Sequence, residues 1–284
     1  MDLNISVGDS SPTRKESTGI RESRGQGRAN SSGKWGDIKL TNYDDIKWRL
    51  DSKVIKVKKF STGIKQLDDV FGGGLALGLN TFMGEGGSGK SLMAREIAKN
   101  HKTLYLCCEV LSDAPASKEY PNVCAVDYTQ YPTKAHKAIG ELFTFIEEYK
   151  PELVVIDSMT SFFSQSNKAL PESDVREMVW KVHQAADNKI PIIGISEIRG
   201  QGFNRAPAGG QGVKHGCSML VDFRAYTIMS ESQINLFGAS IGDIVYQMQV
   251  YKDKGGLANV HPYRLDWTPE DGYDINRIEP IKVK

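Results

Sequence analysis

No stretch of this chain approaches the roughly 20 consecutive apolar residues of a membrane span, and its N-terminus lacks the apolar core of a secretory leader. Both absences predict a chain with no membrane partner. Cysteine is scarce, at four residues. Cys107, Cys108, Cys124 and Cys217 lack the spacing of a zinc site. Three of them sit in apolar, strand-like runs, which predicts buried free thiols in a reducing cytoplasm. Net charge is almost absent too: 36 Lys and Arg stand against 35 Asp and Glu, giving +1. The whole-molecule balance therefore announces no nucleic acid, and any basic binding surface must be local. Apolar residues are few in residues 1–35, which are rich in Ser, Gly, Arg and Lys. Such a segment cannot offset its ordering entropy and is expected to be a disordered basic tail, a solvated leader or a nucleic-acid contact.

What is present suits a globular core. The chain has 284 residues, 39% hydrophobic and 25% charged, enough for one sizeable core. Residues 36–57 hold Trp35's neighbours Ile38, Leu40, Tyr43, Ile46, Trp48 and Leu50. They read as a linker or docking segment before a core over 58–284. In that segment Val54–Val57 reads as a short edge strand. Ser61–Phe71 predicts a short hydroxyl-capped helix with Ile64, Leu67 and Phe71 on one face, ended by Gly72-Gly73-Gly74. From Leu79 apolar strands alternate with amphipathic helices. Strands are expected at 79–83, 103–108, 122–126, 153–156 and 192–195, and helices at 92–99, 134–149 and 174–187. The alternation predicts a parallel sheet covered on both faces. The last third differs. Residues 219–228, 244–252 and 263–267 read as strands with no helix between them, a meander that extends the sheet.

One stretch organises the rest. Gly84-Glu85-Gly86-Gly87-Ser88-Gly89-Lys90-Ser91, followed by Leu92, has the Gly-x4-Gly-Lys-Ser spacing of a phosphate-binding loop, between an expected strand and an expected helix. The glycines let backbone N–H groups turn inward, and the helix start aims its positive end at the same anion. Lys90 would reach the β- and γ-phosphates of ATP, and the Ser91 hydroxyl would bind Mg2+. Asp157 ends an apolar strand, where ligands bind in open α/β sheets. It is placed to hold Mg2+ opposite Ser91, or else to cap a turn. Glu109 ends another strand. Read alone, it is either a general base for water or a solvated surface acid.

With these residues the chain resembles the RecA/RadA/KaiC superfamily of ATPases over about Phe60 to Ile275. Ser61-Thr62-Gly63-Ile64 with Leu67-Asp68 and Gly72-Gly73-Gly74-Leu75 is similar to the segment these proteins carry before the phosphate loop. The resemblance implies an α/β RecA-like core, mostly parallel, with helices on both faces and antiparallel C-terminal strands. It also implies that Glu109 is the catalytic glutamate and that Asp157-Ser158 ends the metal-binding strand. Ile198 to His215 resembles a mobile DNA-binding loop with a Gly-Gly pair and a following histidine. Arg199, Arg205 and Lys214 suit phosphate contact to single-stranded DNA, and Phe203 suits stacking. The same loop also reads as a Gly-rich surface that packs between subunits. Lys168 is the only cation of the segment resembling a first DNA loop. Lys252 and Lys254 match a Lys-x-Lys pair that enters a neighbouring subunit's nucleotide site, which implies a homo-oligomer, filament or ring. Otherwise they are ordinary edge protection.

Two departures bear on role. Where RecA and RadA place a glutamine that senses the γ-phosphate, this chain has Ser196-Glu197, as KaiC relatives can. The residues that carry the resemblance are those of the core alone, so the chain is expected to be a core-only member, as RadB is, without the N-terminal helical domain of RadA or the large C-terminal domain of RecA. The expected function is an Mg2+-dependent ATPase of DNA recombination or repair, cytoplasmic or nucleoid-associated. The alternatives are a KaiC-like regulatory ATPase acting on protein partners and a ring helicase-type motor.

Overall fold

The computed structural model describes residues 58–109, 118–129, 135–163, 172–186, 189–199, 205–254, 262–268 and 272–281. The expected tail, docking segment and Val54–Val57 strand lie outside the described residues, as do Phe203 and Lys168.

The strands in chain order are β1 (Lys59–Phe60), β2 (Leu75–Ala76), β3 (Gly78–Gly84), β4 (Thr103–Cys107), β5 (Val123–Asp127), β6 (Leu153–Asp157), β7 (Pro191–Arg199), β8 (Ala206–Pro207), β9 (Met219–Thr227), β10 (Ile244–Asp253), β11 (Tyr263–Thr268) and β12 (Gly272–Pro280). The helices are α1 (Lys65–Val70), α2 (Lys90–Ala98), α3 (Ala135–Tyr149), α4 (Met159–Phe163), α5 (Glu172–Ala185), α6 (Gly210–Gly216) and α7 (Glu231–Phe237). Among the described residues the main sheet runs β12-β11-β10-β9-β3-β7-β6-β4-β5, with β8 beside β7. Pairings from β9 to β5 along this order are parallel, and those from β9 to β12 are antiparallel. This is the expected mostly parallel α/β core with a C-terminal meander.

Side chains alternate across the sheet as the two-residue period of strands requires. Leu79, Met83, Leu104, Leu106, Val154 and Ile156 enter one core with α3, α4 and α5. Phe82, Tyr105, Leu153, Val155, Ile193 and Ile195 enter the other with α1 and α2. α3 buries one stripe: Ala138 and Leu142 are fully buried, and Phe145 and Ile146 pack against the same core. Burial on both faces explains why these strands read as continuous apolar runs.

Three local expectations change. α1 starts at Ile64 with no side-chain cap. The hydroxyls work in the other direction, since Ser61 Oγ and Thr62 Oγ1 donate to Asp68 at 2.5 and 2.7 Å. A helix, α7, interrupts the meander between β9 and β10. Ser230 Oγ accepts from the Gln233 N–H at its start, and Gly238 ends it in the left-handed region. The loop after β7 contains α6, which begins after Gly209 at φ 93°. His183 of α5 secures α6, with its Nε2 2.6 Å from the Gly216 carbonyl and its Nδ1 accepting the Leu79 N–H.

Among the described residues no helix is long and apolar enough to cross a membrane. All four cysteines are free, Cys107 and Cys217 buried and Cys108 and Cys124 half-buried.

Candidate nucleotide site

The parallel register gathers the expected site on one rim. Gly84 at the end of β3 sits opposite Glu197 of β7, and Cys107 of β4 sits opposite Asp157 of β6. Glu109 follows two residues after Cys107. The loop from Glu85 to Gly89 leaves β3 at this rim and starts α2, with Gly89 at φ 89°. That conformation favours glycine, because a Cβ would meet the following carbonyl.

The residues fit a bound triphosphate. A Cβ built on Gly86 or Gly87 meets nothing within 4 Å, so the loop leaves open space above its backbone. Lys90 is 7% exposed. Its Nζ donates to the Glu85 carbonyl at 2.6 Å and to Ser88 Oγ at 3.3 Å. Burial pushes its ammonium below the ordinary lysine range, against the charges of Asp157, Glu197, Glu109 and Glu85. A buried cation held by neutral oxygens is suited to an incoming anion.

They also fit a divalent cation. Asp157 lies near Ser91, the expected metal partner, whose hydroxyl favours its charged form, and it accepts from Tyr105 Oη at 2.6 Å. Burial raises the Asp157 pKa above the carboxylate range; the Tyr105 and Ser91 hydroxyls oppose this and the Glu109 charge adds to it. Burial and then Asp157 push the Tyr105 phenol up as well, so it stays a donor. A hydroxyl and a carboxylate side by side are the pair that Mg2+ takes from protein when phosphates and water supply the rest.

Glu109 is exposed but held. Ser158 Oγ donates to its Oε1, and so does Ser161 Oγ at 3.2 Å. Ser158 lies between β6 and α4, and Ser161 lies within α4. The sequence names Ser158 only as the neighbour of Asp157, and gives no role to Ser161 or Tyr105. Ser158 beside Asp157 was the only signal available.

The expected loop and trans residues are placed differently from one another. Arg199 is exposed at the end of β7. Lys214 is half-buried in the last turn of α6. The Arg205 guanidinium is bonded to Asp222 and Glu85 and only 11% exposed. Lys252 is engaged inside its own chain. Its Nζ donates to the carbonyls of Lys214, His215 and Cys217 at 2.8, 2.9 and 2.9 Å. These are all three of its donors, and they cap the C-terminal end of α6. Burial lowers its pKa, helped by Lys254 and Lys214. Lys254 is exposed just past the end of β10, where its backbone N–H bonds the Ser218 carbonyl; β10 lies between β9 and β11, so neither lysine protects a sheet edge.

The two lysines should therefore part company under mutation. Lys252→Ala strips three carbonyls of their donor and is expected to cost about 1–3 kcal/mol, a melting shift of several degrees. Lys254→Ala is expected to leave the melting temperature unchanged and to slow turnover. Thermal denaturation beside ATPase assays separates them; equal melting of both variants would remove the capping role.

Comparison with known proteins agrees with this geometry. Residues 81–200 match the family model described as "ATPase family associated with various cellular activities (AAA)". The chain is 27% identical to the DNA repair protein RadA of Escherichia coli (strain K12) over 222 residues, 73% of this chain and 45% of that protein. It is 28% identical to the DNA repair protein RadA of Aquifex aeolicus (strain VF5) over 156 residues, 52% of this chain and 34% of that protein. Together with the sheet order, these matches support a RecA/RadA-like P-loop ATPase core. The chain spans less than half the length of these curated relatives. Gly84–Ser91, with the spacing of a phosphate-binding loop, lies within the matched residues, and the α/β core read from the sequence is the one observed.

Proposed function

We propose that this chain is a repair or recombination ATPase that hydrolyses ATP at subunit interfaces and binds single-stranded DNA. The observation that carries the reading is the convergence of Lys90, Ser91, Asp157 and Glu109 at one end of the parallel sheet. Lys90 exchanges the Glu85 carbonyl for phosphate oxygen. Ser91 and Asp157 hold Mg2+, which when bound supplies charge neutralisation at the phosphate oxygens. Glu109, fixed by Ser158 and Ser161, accepts the proton of the attacking water. Lys254, supplied by an adjoining protomer, adds positive charge to the transferring phosphoryl group, and this makes the active form a homo-oligomer. Arg199 and Lys214 contact DNA phosphates, with Phe203 available to stack. The partner places the protein in the cytoplasm or at the nucleoid.

A regulatory role toward protein partners is the second reading. Glu197 favours it, because it stands opposite Gly84 at the strand end. Ionised glutamate donates no hydrogen bond and cannot read the γ-phosphate as glutamine does.

ATP turnover with and without single-stranded DNA decides between them. The DNA reading expects stimulation that falls steeply between about 50 and 200 mM salt, as counterion release requires. Turnover indifferent to DNA, with no DNA retained at low salt, removes it and leaves the regulatory reading.

A further inference from the structure

Arg205 was expected to face nucleic acid. The structure turns it inward. Its Nε and Nη2 donate to the two oxygens of Asp222 at 3.2 and 2.9 Å. Its Nη1 donates to Glu85 Oε1 at 2.9 Å. The two carboxylates differ. The Asp222 side chain is fully buried, on β9 opposite Met83 of β3, and also accepts from Arg224 Nε at 2.7 Å. The Glu85 side chain is 64% exposed. A bidentate pair with a buried carboxylate is an anchor, whereas a single bond to an exposed one is weak and exchangeable.

Both ends of this chain of contacts meet functional groups. Glu85 is a residue of the phosphate loop, and its carbonyl holds Lys90. Arg205 stands at the base of a hairpin: Arg199 pairs with Ala206, and the Ala208 N–H bonds the Glu197 carbonyl at 2.7 Å. When Lys90 leaves the Glu85 carbonyl, the peptide that carries the Arg205 contact loses its anchor. A loop that receives a polyanion also carries the Glu85 charge, and Arg205 is the cation paired with it.

We infer that Arg205 is a positioning residue for the phosphate loop, and that the Arg205–Glu85 pair couples the nucleotide site to the hairpin after β7. This rests on the nucleotide reading of Gly84–Ser91. It gives the chain a route between site and loop that does not need a glutamine at position 197. It also removes Arg205 from the phosphate-contacting set, leaving Arg199 and Lys214.

The test is a double-mutant cycle on binding of a non-hydrolysable ATP analogue with Mg2+. Arg205→Ala leaves Glu85 uncompensated beside the phosphates and is expected to weaken binding about tenfold. Adding Glu85→Gln should recover most of that loss, which damage to the buried Asp222 site would not allow. An equal loss with and without Glu85→Gln, or no loss at all, overturns the inference. Should Arg205→Ala not fold, Glu85→Gln alone keeps the question open to experiment, since Glu85 is exposed. Saturating analogue is expected to change the rate of tryptic cleavage after Arg199 in the unaltered chain and not in Glu85→Gln. An unchanged response in Glu85→Gln overturns the coupling. Lys90→Ala is the separate control: if it binds the analogue as the unaltered chain does, the nucleotide reading itself fails.

Discussion

Lys90→Ala is expected to bind ATP at least about a hundredfold more weakly than the unaltered chain, with turnover lost to the same degree. The size follows from burial. At 7% exposure the ammonium is held by the Glu85 carbonyl and Ser88 Oγ. The cost of burying that cation is already met in folding, so its attraction for phosphate is little diluted by water. Alanine removes the charge and leaves the loop glycines in place. The fold should survive, because alanine suits the first turn of α2 and the neighbouring core residues Met93 and Ala94 are untouched. Calorimetric titration with an ATP analogue checks the binding, and circular dichroism checks the fold. Binding within a few-fold of the unaltered chain would refute the loop assignment.

Glu109→Gln is expected to do the opposite at the level of binding. Glutamine keeps the size of glutamate and an oxygen to accept from Ser158 and Ser161. It cannot take a proton from water. Nucleotide should bind with nearly unchanged affinity while turnover falls by about 10² to 10⁴. That split between binding and rate separates a base from a binding residue. A parallel loss of affinity and rate would mean that Glu109 shapes the pocket rather than acting on water. Full turnover would return it to a solvated surface acid.

The phosphate loop, the strand-ending acids and the alternation of strand and helix were legible in the sequence because each is a local pattern. Asp157 and Glu109 needed only to follow apolar runs, and the parallel register then brought them to Gly84. α6 was not legible. Its sequence Gly-Gln-Gly-Val-Lys-His-Gly is poor in helix formers, and what supports it comes from far along the chain. Lys252 caps it across 35 to 38 residues, and His183 bonds Gly216 across 33. α7 was legible and missed: Ser230 and Gly238 are ordinary start and stop residues around seven residues. Its short apolar content, Ile234, Leu236 and Phe237, gave too little periodicity to notice. Lys252 and Arg205 show a different limit. A sequence shows that a cation is available, and only the fold shows which anion or carbonyl holds it. Asp222 did leave a signal, since a carboxylate inside the run Met219 to Phe223 implies a buried cationic partner. That signal names no partner, and Arg205 is 17 residues away.

The most direct measurement is a structure of the protein with a non-hydrolysable ATP analogue and Mg2+. The account predicts the phosphates inside the loop 84–91, Lys90 turned from the Glu85 carbonyl to phosphate, and the metal between Ser91 and Asp157. Phosphates bound elsewhere, with Lys90 still on Glu85, would contradict it.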